Sequence, residues 1–390
     1  MLRQAMTLQR ERNFAAAERL CREALMIDPQ NYDALHMLGL LALEAGNRER
    51  AVELISAAIR VDDSQAAAHY NLGNALRLLK RHEEAIASYD RALALKPDSA
   101  RAFNNRGNSL WDLKRNAEAV ESYSRAVVID PGFADAWHNR GHALNELKRA
   151  DEAIESFRRA VAAGGDRARL DFELAALGAG NTPSTAPAQF VASMFDRYAD
   201  NFDRHLVEDL KYQTPADAVD AVKRLIHSTG LDVLDLGCGT GLCGPLLRPL
   251  ARSLTGVDLS ANMLSKARAR QVYDDLVCSD ITKYLQTKFS GFDLVITTDV
   301  FIYIGDLAAV FAGVRRALKS GGLFAFSVEE GESGDFVLRK TKRYAHTGAY
   351  LRRLAGEHGF SVESLEPKFI RKDEDGDIGG LVAVLRLADA

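Results

Sequence analysis

The stretch Leu231–Gly244 reads LDVLDLGCGTGLCG. Its first part, Leu231–Leu236, is apolar at four of six positions and predicts a short buried strand. Gly237, Gly239 and Gly241 follow at alternate positions, where the backbone can take a positive φ or approach a ligand closely. A strand, a glycine loop and a helix in this order predict the nucleotide-binding corner of an open α/β sheet.

A second predicted strand, Leu254–Asp258, ends in an acid at a characteristic distance from the loop. An acidic side chain about 20 residues after such a loop can accept hydrogen bonds from the ribose hydroxyls of an adenosine group. The glycine spacing is GxGxG and differs from the GxGxxG of dinucleotide-binding domains. On the loop alone, a glycine-rich turn that binds no ligand therefore stays an alternative.

The strings DLGCGTG at Asp235–Gly241 and VDLS at Val257–Ser260 resemble two motifs of class I S-adenosylmethionine-dependent methyltransferases. The resemblance implies S-adenosyl-L-methionine as cofactor, S-adenosyl-L-homocysteine as product and no metal. It also implies that Asp280 accepts a hydrogen bond from the adenine amino group and that Met263 lies against the adenine. The predicted cofactor-binding residues are Tyr198, Asp235, Gly237, Cys238, Gly239, Gly241, Asp258, Leu259, Met263, Asp280, Ile281 and Thr298.

Further strands are predicted at 276–278, 292–297 and 323–328, alternating with helices, and two closing strands flank a polar loop at 371–380. Alternation of this kind indicates a parallel sheet covered on both faces. The string LKSGG at Leu318–Gly322 also resembles the class. We therefore predict an α/β Rossmann-like methyltransferase domain over 188–390, with a mostly parallel seven-stranded sheet.

The segment 188–227 has apolar residues at helical spacing, and its string FDRYADNFDRHL resembles the N-terminal lid of small-molecule methyltransferases. A buried helical stripe without a ligand role is the alternative. His346 is a candidate general base because its ordinary pKa lies near neutrality, although a purely structural histidine fits equally well. Tyr344 and Glu329 complete the catalytic candidates, and the predicted substrate and lid residues are Phe195, Phe202, Tyr212, Asp299, Tyr303, Arg343 and Tyr350.

The first half of the chain repeats with a step of 34 residues. Glycines share one phase, alanines share others, and the aromatic residues Tyr89, Tyr123 and Phe157 are also in step. The pattern resembles tetratricopeptide repeats (TPRs), which stack as helical pairs into an all-α superhelix. We predict a multidomain chain with a TPR array at 1–163, of about four full repeats and a partial first one, and a capping helix and linker at 164–187.

Two rows of polar side chains recur on the first helices of the repeats. A carboxamide offers both donors and acceptors, so such rows suit the backbone of an extended peptide. The rows resemble the asparagine ladder of O-GlcNAc transferases, although asparagine is also tolerated on any wet helix face. The predicted peptide groove contains Asn71, Asn74, Asn105, Asn108, Asn139 and His142.

Composition excludes several classes of partner. The 390 residues favour two domains, and a net charge of −4 without a broad basic stripe argues against nucleic acid. No D/N-P-P-Y/F string follows the fourth strand. The four cysteines form no CxxC pair, and neither a signal peptide nor an apolar run of about 18 residues is present, so we expect a cytoplasmic protein without membrane contact.

Three functions remain open from the sequence. In the first, the chain transfers methyl groups to an O, N or S nucleophile, and its array docks a protein or peptide. In the second, it methylates a small molecule and uses the array for dimerisation or scaffolding. In the third, it is a non-catalytic scaffold whose second domain senses a nucleoside.

Overall fold

In the computed structural model, the chain divides into two units, Met1–Leu170 and Asp171–Ala390. The structure describes residues 1–200, 202–204, 206, 210–226, 228–373 and 376–389. Residues 201, 205, 207–209 and 227 of the predicted lid, and residues 374–375 of the predicted loop at 371–380, lie outside the described residues. Within those ranges, no helix combines the length and apolar character needed to cross a membrane.

The described residues 1–170 contain five antiparallel helical pairs, of which the last four are each built from one full 34-residue unit. In each unit the second helix packs back along the first, and each pair then packs against the next pair in the chain. The ten helices are α1 Leu2–Arg10, α2 Phe14–Ile27, α3 Tyr32–Glu44, α4 Arg48–Val61, α5 Ala66–Leu78, α6 His82–Leu95, α7 Ala100–Asp112, α8 Asn116–Ile129, α9 Ala134–Glu146 and α10 Ala150–Ala162.

The periodic glycines let the two helices of a pair approach each other. A Cβ atom at Gly107 in α7 would lie 2.6 Å from the Cε1 atom of Tyr123 in α8, and the corresponding distance from Gly141 to Phe157 is 2.5 Å. Carbon atoms do not pack at such distances, so each aromatic ring occupies the space that a side chain would need. The shared phase of glycines and aromatic residues in the sequence thus reflects one repeated packing contact.

The first helices of the repeats are followed by a residue in the left-handed backbone conformation. Gly46 follows α3 with a φ of 77°, and Lys80, Lys114 and Lys148 take the same left-handed conformation at the equivalent positions of later units. Glycine is the usual residue there because a Cβ atom disfavours this conformation. The lysine-bearing units therefore hold a backbone geometry that their side chain opposes.

The helix predicted to cap the array is α11, Arg167–Ala176, and the division between the units falls within it. In the second unit, Phe172 and Ala175 are buried in a cluster with Val191, Leu338 and Tyr344. Part of this helix therefore belongs to the core of the second unit. The predicted domain start at 188 lies later in the chain than the structural division at Asp171.

The second unit is built on a mixed sheet. Strands β3, β2, β1, β4 and β5 lie side by side and run parallel, while β9 pairs antiparallel with β5, and β8 pairs antiparallel with β9. These seven strands agree with the predicted mostly parallel sheet. The described strands are β1 Leu231–Leu236, β2 Ala251–Asp258, β3 Asp275–Cys278, β4 Phe292–Thr297, β5 Leu318–Glu330, β6 Phe336–Leu338, β7 Tyr344–His346, β8 Phe360–Asp373 and β9 Gly376–Leu387.

Two features of this sheet differ from the prediction. Strands β6 and β7 form an unpredicted hairpin, with β7 parallel to the end of β5 at Glu329 and Glu330. The predicted polar loop at 371–380 is largely extended, because β8 continues to Asp373 and β9 begins at Gly376. Pairing between the two strands satisfies the backbone of these polar residues, which the residue types alone did not indicate.

Helices cover both faces of the sheet. On one face, Val233, Leu294 and Ala325 pack in a cluster with Ala218 and Val222 of α14. The cluster on the other face contains Leu234, Val295 and Phe324, packed with α18 and α19. The described helices of this unit after α11 are α12 Ala188–Tyr198, α13 Phe202–Arg204, α14 Thr214–Lys223, α15 Gly244–Leu247, α16 Ala261–Ala269, α17 Ile281–Leu285, α18 Ala308–Ala317 and α19 Gly348–Glu357.

Candidate donor and acceptor site

A cavity of about 860 Å³ lies at the carboxyl ends of β1, β2 and β4, entirely within the second unit. Ligand sites of roughly 300–1,000 Å³ hold molecules of drug or cofactor size, and open α/β sheets bind ligands at this edge. Every predicted cofactor residue except Gly241 lines the cavity. So do Phe195, Phe202, Tyr212, Asp299, Tyr303 and Arg343 from the predicted substrate and lid set.

The glycine loop brings bare backbone to the cavity wall. Gly237 has a φ of 69°, and a Cβ atom there would lie 2.2 Å from the Cγ2 atom of Val300. Its N–H donates to the carbonyl of Val257 at 2.7 Å, which holds the loop against β2. Gly241 lies outside the cavity lining, where a Cβ atom would meet the ring of Tyr273 at 2.9 Å.

Asp258 at the end of β2 is held by the same loop. Its carboxylate accepts from the N–H of Gly239 at 2.9 Å and from the N–H of Ser260 at 2.8 Å. Burial raises the pKa of Asp258, and these two hydrogen bonds oppose the rise. A carboxylate has about four acceptor positions, so part of its acceptor capacity remains for hydroxyl groups in the cavity.

Asp235 is the most deeply buried acid of the cavity wall, with 1% of its surface exposed. It accepts a hydrogen bond from the hydroxyl of Tyr273 at 2.7 Å. Burial raises the pKa of Asp235 to about 7, and repulsion by Asp258 adds to the rise. A cation placed beside Asp235 would stabilise its ionised form.

Asp280 begins α17, where its side chain accepts from the N–H of Lys283 at 3.0 Å. This contact is an ordinary helix cap and gives the residue a structural role beside its predicted one. Asp280 also lines the cavity, as do Ile281 and the buried Met263. The same carboxyl group is thus both a cap and a possible acceptor for a donor group in the cavity.

The segment from α12 to α13 forms an aromatic wall of the cavity. The ring of Phe202 lies 5.9 Å from that of Phe195 and 5.5 Å from that of Tyr198, and Phe195 lies 5.5 Å from Tyr303. Edge-to-face pairs at these distances are favourable beyond the area that they bury. The aromatic residues of the FDRYADNFDRHL string therefore pack with each other around the cavity.

Three acids of this segment, which the sequence analysis missed, attach it to the rest of the unit. Asp196 accepts from the hydroxyl of Ser260, and the carboxylate of Asp200 lies 2.8 Å from Nζ of Lys266. Asp203 pairs with the hydroxyl of Thr240, and its carboxylate also accepts from Arg270. In the sequence, the four- and three-residue steps between the acids are typical of one helical face, and this spacing was the available signal, although α12 ends at Tyr198, before Asp200 and Asp203.

The other end of the cavity contains an arginine that the sequence analysis also missed. Arg371 of β8 is 1% exposed and lines the cavity. Its Nη1 atom lies 3.0 Å from the Oδ2 atom of Asp299, and its Nη2 atom pairs with Glu329. Arg339 donates to the second carboxylate oxygen of Glu329 at 2.8 Å. The only sequence signal was that Arg371 directly follows the apolar pair Phe369–Ile370. Thr240, Leu242 and Cys243 are further lining residues that were not predicted.

Four of the predicted catalytic and substrate residues lie outside the cavity lining, and the structure contradicts the catalytic role of His346. His346 is fully buried, and its Nε2 atom lies 2.9 Å from the carbonyl oxygens of both Ile304 and Gly305. Two acceptors at one ring nitrogen require a proton there, so Nε2 is a donor and not a base. Burial also lowers the pKa of His346 to about 4.

The other three residues have structural partners as well. The hydroxyl of Tyr344 donates to the carbonyl of Pro183 at 2.7 Å, and that of Tyr350 accepts from the N–H of Leu307 at 2.9 Å. Glu329 is buried between two arginines, as described above. These contacts replace the predicted catalytic or substrate roles of Tyr344, Tyr350 and Glu329, because none of the three side chains reaches the cavity.

In the first unit, the asparagine rows form hydrogen bonds between neighbouring repeats. The Oδ1 atom of Asn74 accepts from Tyr89 at 2.8 Å and from Asn105 at 2.9 Å. Asn108 repeats the pattern with Tyr123 at 2.9 Å and Asn139 at 3.2 Å. The rows also include contacts of Asn71 with His36 and of His142 with His138. A role in joining helices was not predicted, and peptide binding by these side chains stays a prediction.

Two protein-family models match separate parts of the chain, one in each structural unit. Residues 234–326 match the family described as "Methyltransferase domain". Residues 36–100, 83–132 and 104–168 match the family described as "Tetratricopeptide repeat".

Among similar proteins is a malonyl-[acyl-carrier protein] O-methyltransferase of Yersinia pestis, 31% identical over 145 residues, which are 37% of this chain and 52% of that protein. The chain thus spans about half the length of this relative. A ubiquinone biosynthesis O-methyltransferase of Thiobacillus denitrificans is 28% identical over 41% of this chain and 80% of its own length. The crystal structure of MamA has 28% identity and a TM-score of 0.40 over 41% of this chain and 94% of its own. The chain therefore combines tetratricopeptide repeats with a methyltransferase domain.

Proposed function

We propose that the chain transfers a methyl group from S-adenosyl-L-methionine to an oxygen atom of an acceptor held in the cavity of the second unit. The observation that carries the proposal is the meeting of the glycine loop, Asp235 and Asp258 at one end of a single cavity. The names of the similar proteins, which are O-methyltransferases, favour oxygen over nitrogen or sulfur.

The residues at that end fit the donor. Asp258 has acceptor positions for the two ribose hydroxyls, and Asp280 can accept from the adenine amino group. Gly237 lets the main chain approach the ligand, and Asp235 can face a cationic amino or sulfonium group. S-adenosyl-L-methionine, when bound, supplies a methyl group that is already activated by its sulfonium.

The protein then has mainly to position and enclose the reactants. The aromatic wall of Phe195, Tyr198 and Phe202 excludes water from the donor, and Tyr303 links this wall to the acceptor end. In the described part of the lining there is no histidine. Burial raises the pKa of Tyr303 to about 12 and that of Tyr212 well above its usual value, so neither phenol is a ready proton acceptor at neutral pH.

Calorimetric titration with S-adenosyl-L-homocysteine tests the donor site. We expect binding to the intact chain and a loss of at least tenfold in affinity for Asp258→Asn, because the neutral amide loses half of the carboxylate's acceptor capacity. Asp220→Asn, at an exposed position of α14, is the matched control and should bind normally. Failure of the intact chain to bind would refute the proposed function.

For the first unit we propose that the repeats dock a protein or peptide that carries the acceptor or accompanies the enzyme. The carboxamide rows support this reading because they offer the same polar groups at equivalent positions of successive repeats. The alternatives are dimerisation through the repeats with a small-molecule acceptor, and a scaffold that binds the donor without turnover.

A double variant, Asn105→Ala with Asn139→Ala, tests the docking role in the full chain. We expect weaker capture of the methylated partner and unchanged affinity for S-adenosyl-L-homocysteine. Because both side chains also join helices, thermal unfolding is measured on the same samples. Incubation of cell extract with the enzyme and a methyl-labelled donor distinguishes the alternatives. If label enters only small molecules, and the double variant labels them equally well, substrate docking by the repeats is excluded.

A further inference from the structure

We propose that Asp299 is the catalytic base of the methyl transfer, which accepts the proton of an acceptor hydroxyl group, and that Arg371 is the positioning residue that holds its carboxylate. This inference rests on the proposed function, because it assigns one step of that reaction to a residue of the same cavity. It depends on the hydrogen bonding of the Asp299 carboxylate, on its place beside the glycine loop, and on the charged groups around it.

Arg371 binds two carboxylates, but only one of them lines the cavity. Glu329 has 2% of its side chain exposed and lies outside the lining, whereas the side chain of Asp299 is 18% exposed and belongs to the lining. The Oδ2 atom of Asp299 accepts from Arg371 at 3.0 Å, and its Oδ1 atom accepts no hydrogen bond from any described residue. One oxygen of this carboxylate is therefore fixed, while the other can accept a proton from a ligand.

The backbone at Asp299 is fixed as well. The residue has a φ of 58°, in the left-handed region, which few residues other than glycine adopt without cost. Its N–H donates to the Oγ atom of Ser327 on β5 at 2.9 Å, and Ser327 is 1% exposed. Strained residues that their surroundings hold in place are concentrated at functional sites, so this conformation supports a role for Asp299 beyond packing.

The neighbours of Asp299 in the chain place it beside the predicted donor end. Thr298 precedes it and lines the same cavity. Val300 follows it and packs against the glycine loop, since a Cβ atom at Gly237 would lie 2.2 Å from the Cγ2 atom of Val300. Strand β4, which leads into this segment, also pairs with β1, which leads into the loop. A base at Asp299 is thus adjacent to the wall against which we propose that the donor binds.

The charged groups around Asp299 determine how readily it takes up a proton. Burial raises the pKa of Asp299, Arg371 and Arg343 lower it, and Glu329 raises it. The net effect is a raised pKa, which brings the carboxyl group closer to neutrality, where a base accepts protons most effectively. Two phenols whose own pKa values are raised also interact with this carboxylate, those of Tyr212 and Tyr303.

The step is balanced without a further reactant. The O–H bond of the acceptor breaks, its proton moves to the carboxylate of Asp299, and an electron pair of the oxygen forms the bond to the methyl carbon. The carbon–sulfur bond breaks at the same time, and its electron pair stays on sulfur. The products are a methyl ether, a neutral thioether and a protonated Asp299, which returns its proton to water when the products leave.

The test compares the full chain with Asp299→Asn, which preserves the shape of the side chain but cannot accept the proton. Each protein is incubated with a methyl-labelled donor at saturating concentration and heat-treated cell extract as the source of acceptor, between about pH 5 and 9. We expect the wild-type rate to fall at acid pH. The rate of Asp299→Asn should be lower by about a hundredfold or more and should lack this acid limb, whereas its affinity for S-adenosyl-L-homocysteine should stay within about threefold.

The product tests the kind of acceptor. A methyl ether, the product from a hydroxyl group, survives mild alkali, whereas a methyl ester is hydrolysed and releases labelled methanol. We expect label that is stable to alkali and a methyl ether by mass spectrometry. Label that alkali releases as methanol would overturn the proposal, because a carboxylate acceptor has no proton to give up at neutral pH.

A second readout does not depend on turnover. Infrared difference spectra between wild type and Asp299→Asn, both with S-adenosyl-L-homocysteine bound, follow the carbonyl band of the protonated Asp299 carboxyl group during a pH titration. We expect the band to appear on acidification, with a midpoint above the ordinary value of about 4. A band that persists at about pH 8 would overturn the proposal, since Asp299 would then already hold the proton that it has to accept.

Further variants separate a base from a purely structural residue. Asp299→Glu should restore part of the rate together with the acid limb. Arg371→Lys preserves the charge but not the geometry of the guanidinium, so the rate should fall while the limb remains. Asp306, another acid of the lining, accepts from the N–H of Ala308 at 3.0 Å, and Asp306→Asn should also retain the limb. Asp220→Asn is the exposed control.

An acid limb that persists in Asp299→Asn, or one that disappears in Asp306→Asn, would refute the assignment. Failure of the proposed function is recognised separately, because the intact chain would then not bind S-adenosyl-L-homocysteine. Binding of S-adenosyl-L-homocysteine without any transfer of label would leave the donor site intact and overturn the role of Asp299.

Discussion

Replacing Asp235 by asparagine should remove a specific pH dependence from donor binding. Asp235 lies in the cavity wall, and burial raises its pKa to about 7. A cationic donor favours the ionised carboxylate, so binding should release a proton wherever the free protein is still protonated. The affinity of the wild type for S-adenosyl-L-methionine should therefore increase as the pH rises towards 7.5.

The size of the effect follows from the pKa. With a value of about 7, the ionised fraction of Asp235 increases from about 3% at pH 5.5 to about 75% at pH 7.5. If only the ionised form binds well, the affinity rises about 25-fold over this range, which is about 2 kcal/mol. The stability of the unliganded protein should change in the opposite direction. A carboxyl group with a raised pKa favours folding below its unfolded pKa, and that contribution is lost as the pH rises through about 7.

Calorimetry at five pH values between about 5.5 and 7.5 measures how the affinity for S-adenosyl-L-methionine changes with pH. Dividing the wild-type affinity by that of Asp235→Asn removes the contribution of the donor's own titration. Tyr273→Phe removes the hydrogen bond that lowers the pKa of Asp235, so its midpoint should shift to higher pH. A ratio that is constant across the range, or a midpoint that Tyr273→Phe moves downwards, would refute the reasoning.

Three further predictions concern the stability of the chain. Gly107→Ala should lower the free energy of unfolding by about 1–3 kcal/mol because its Cβ would overlap Tyr123. Gly356→Ala, in open space on α19, should raise the free energy of unfolding by about 0.5–1 kcal/mol. Thermal unfolding compares the two variants, and equal effects would contradict the packing argument. Lys114→Gly should stabilise the chain by about 0.5–1 kcal/mol by relieving a φ of 63°, with Lys114→Ala as a control that should not. His346, with its pKa lowered to about 4, should contribute stability above pH 6.5 that is lost as the pH falls through about 4, amounting to about 3 kcal/mol; urea titrations of His346→Gln should lack this component.

The repeats and the central strands were predictable because their signals are local. Each repeat unit packs only on its neighbours, so a 34-residue step in glycine, alanine and aromatic positions specifies where its helices lie. Strands β1 and β4 are mostly apolar segments that end in polar or glycine-rich turns. The hairpin of β6 and β7 has only three residues in each strand, and its register depends on pairing with the end of β5, which the residues themselves do not indicate.

The donor end of the site was predictable for a related reason. Residues that directly follow parallel strands converge at one sheet edge, so Asp235, Asp258 and Thr298 were expected together and line one cavity. The prediction of His346 as a base was wrong because it used the ordinary pKa of histidine. Its actual surroundings, two carbonyl groups in a buried site, come from segments far away in the chain.

By itself, the sequence determined the order of a repeat array and an α/β domain, the helix phases of the array, and the glycine loop that lines the cavity. These properties depend on periodicity and on residues adjacent in the chain. The tertiary structure alone decided the charge cluster in the cavity wall, because Arg371 meets Asp299 and Glu329 only when β8, β4 and β5 are assembled in one sheet. Burial and charge pairing set the chemistry of those groups, and both depend on contacts between residues that are distant in sequence.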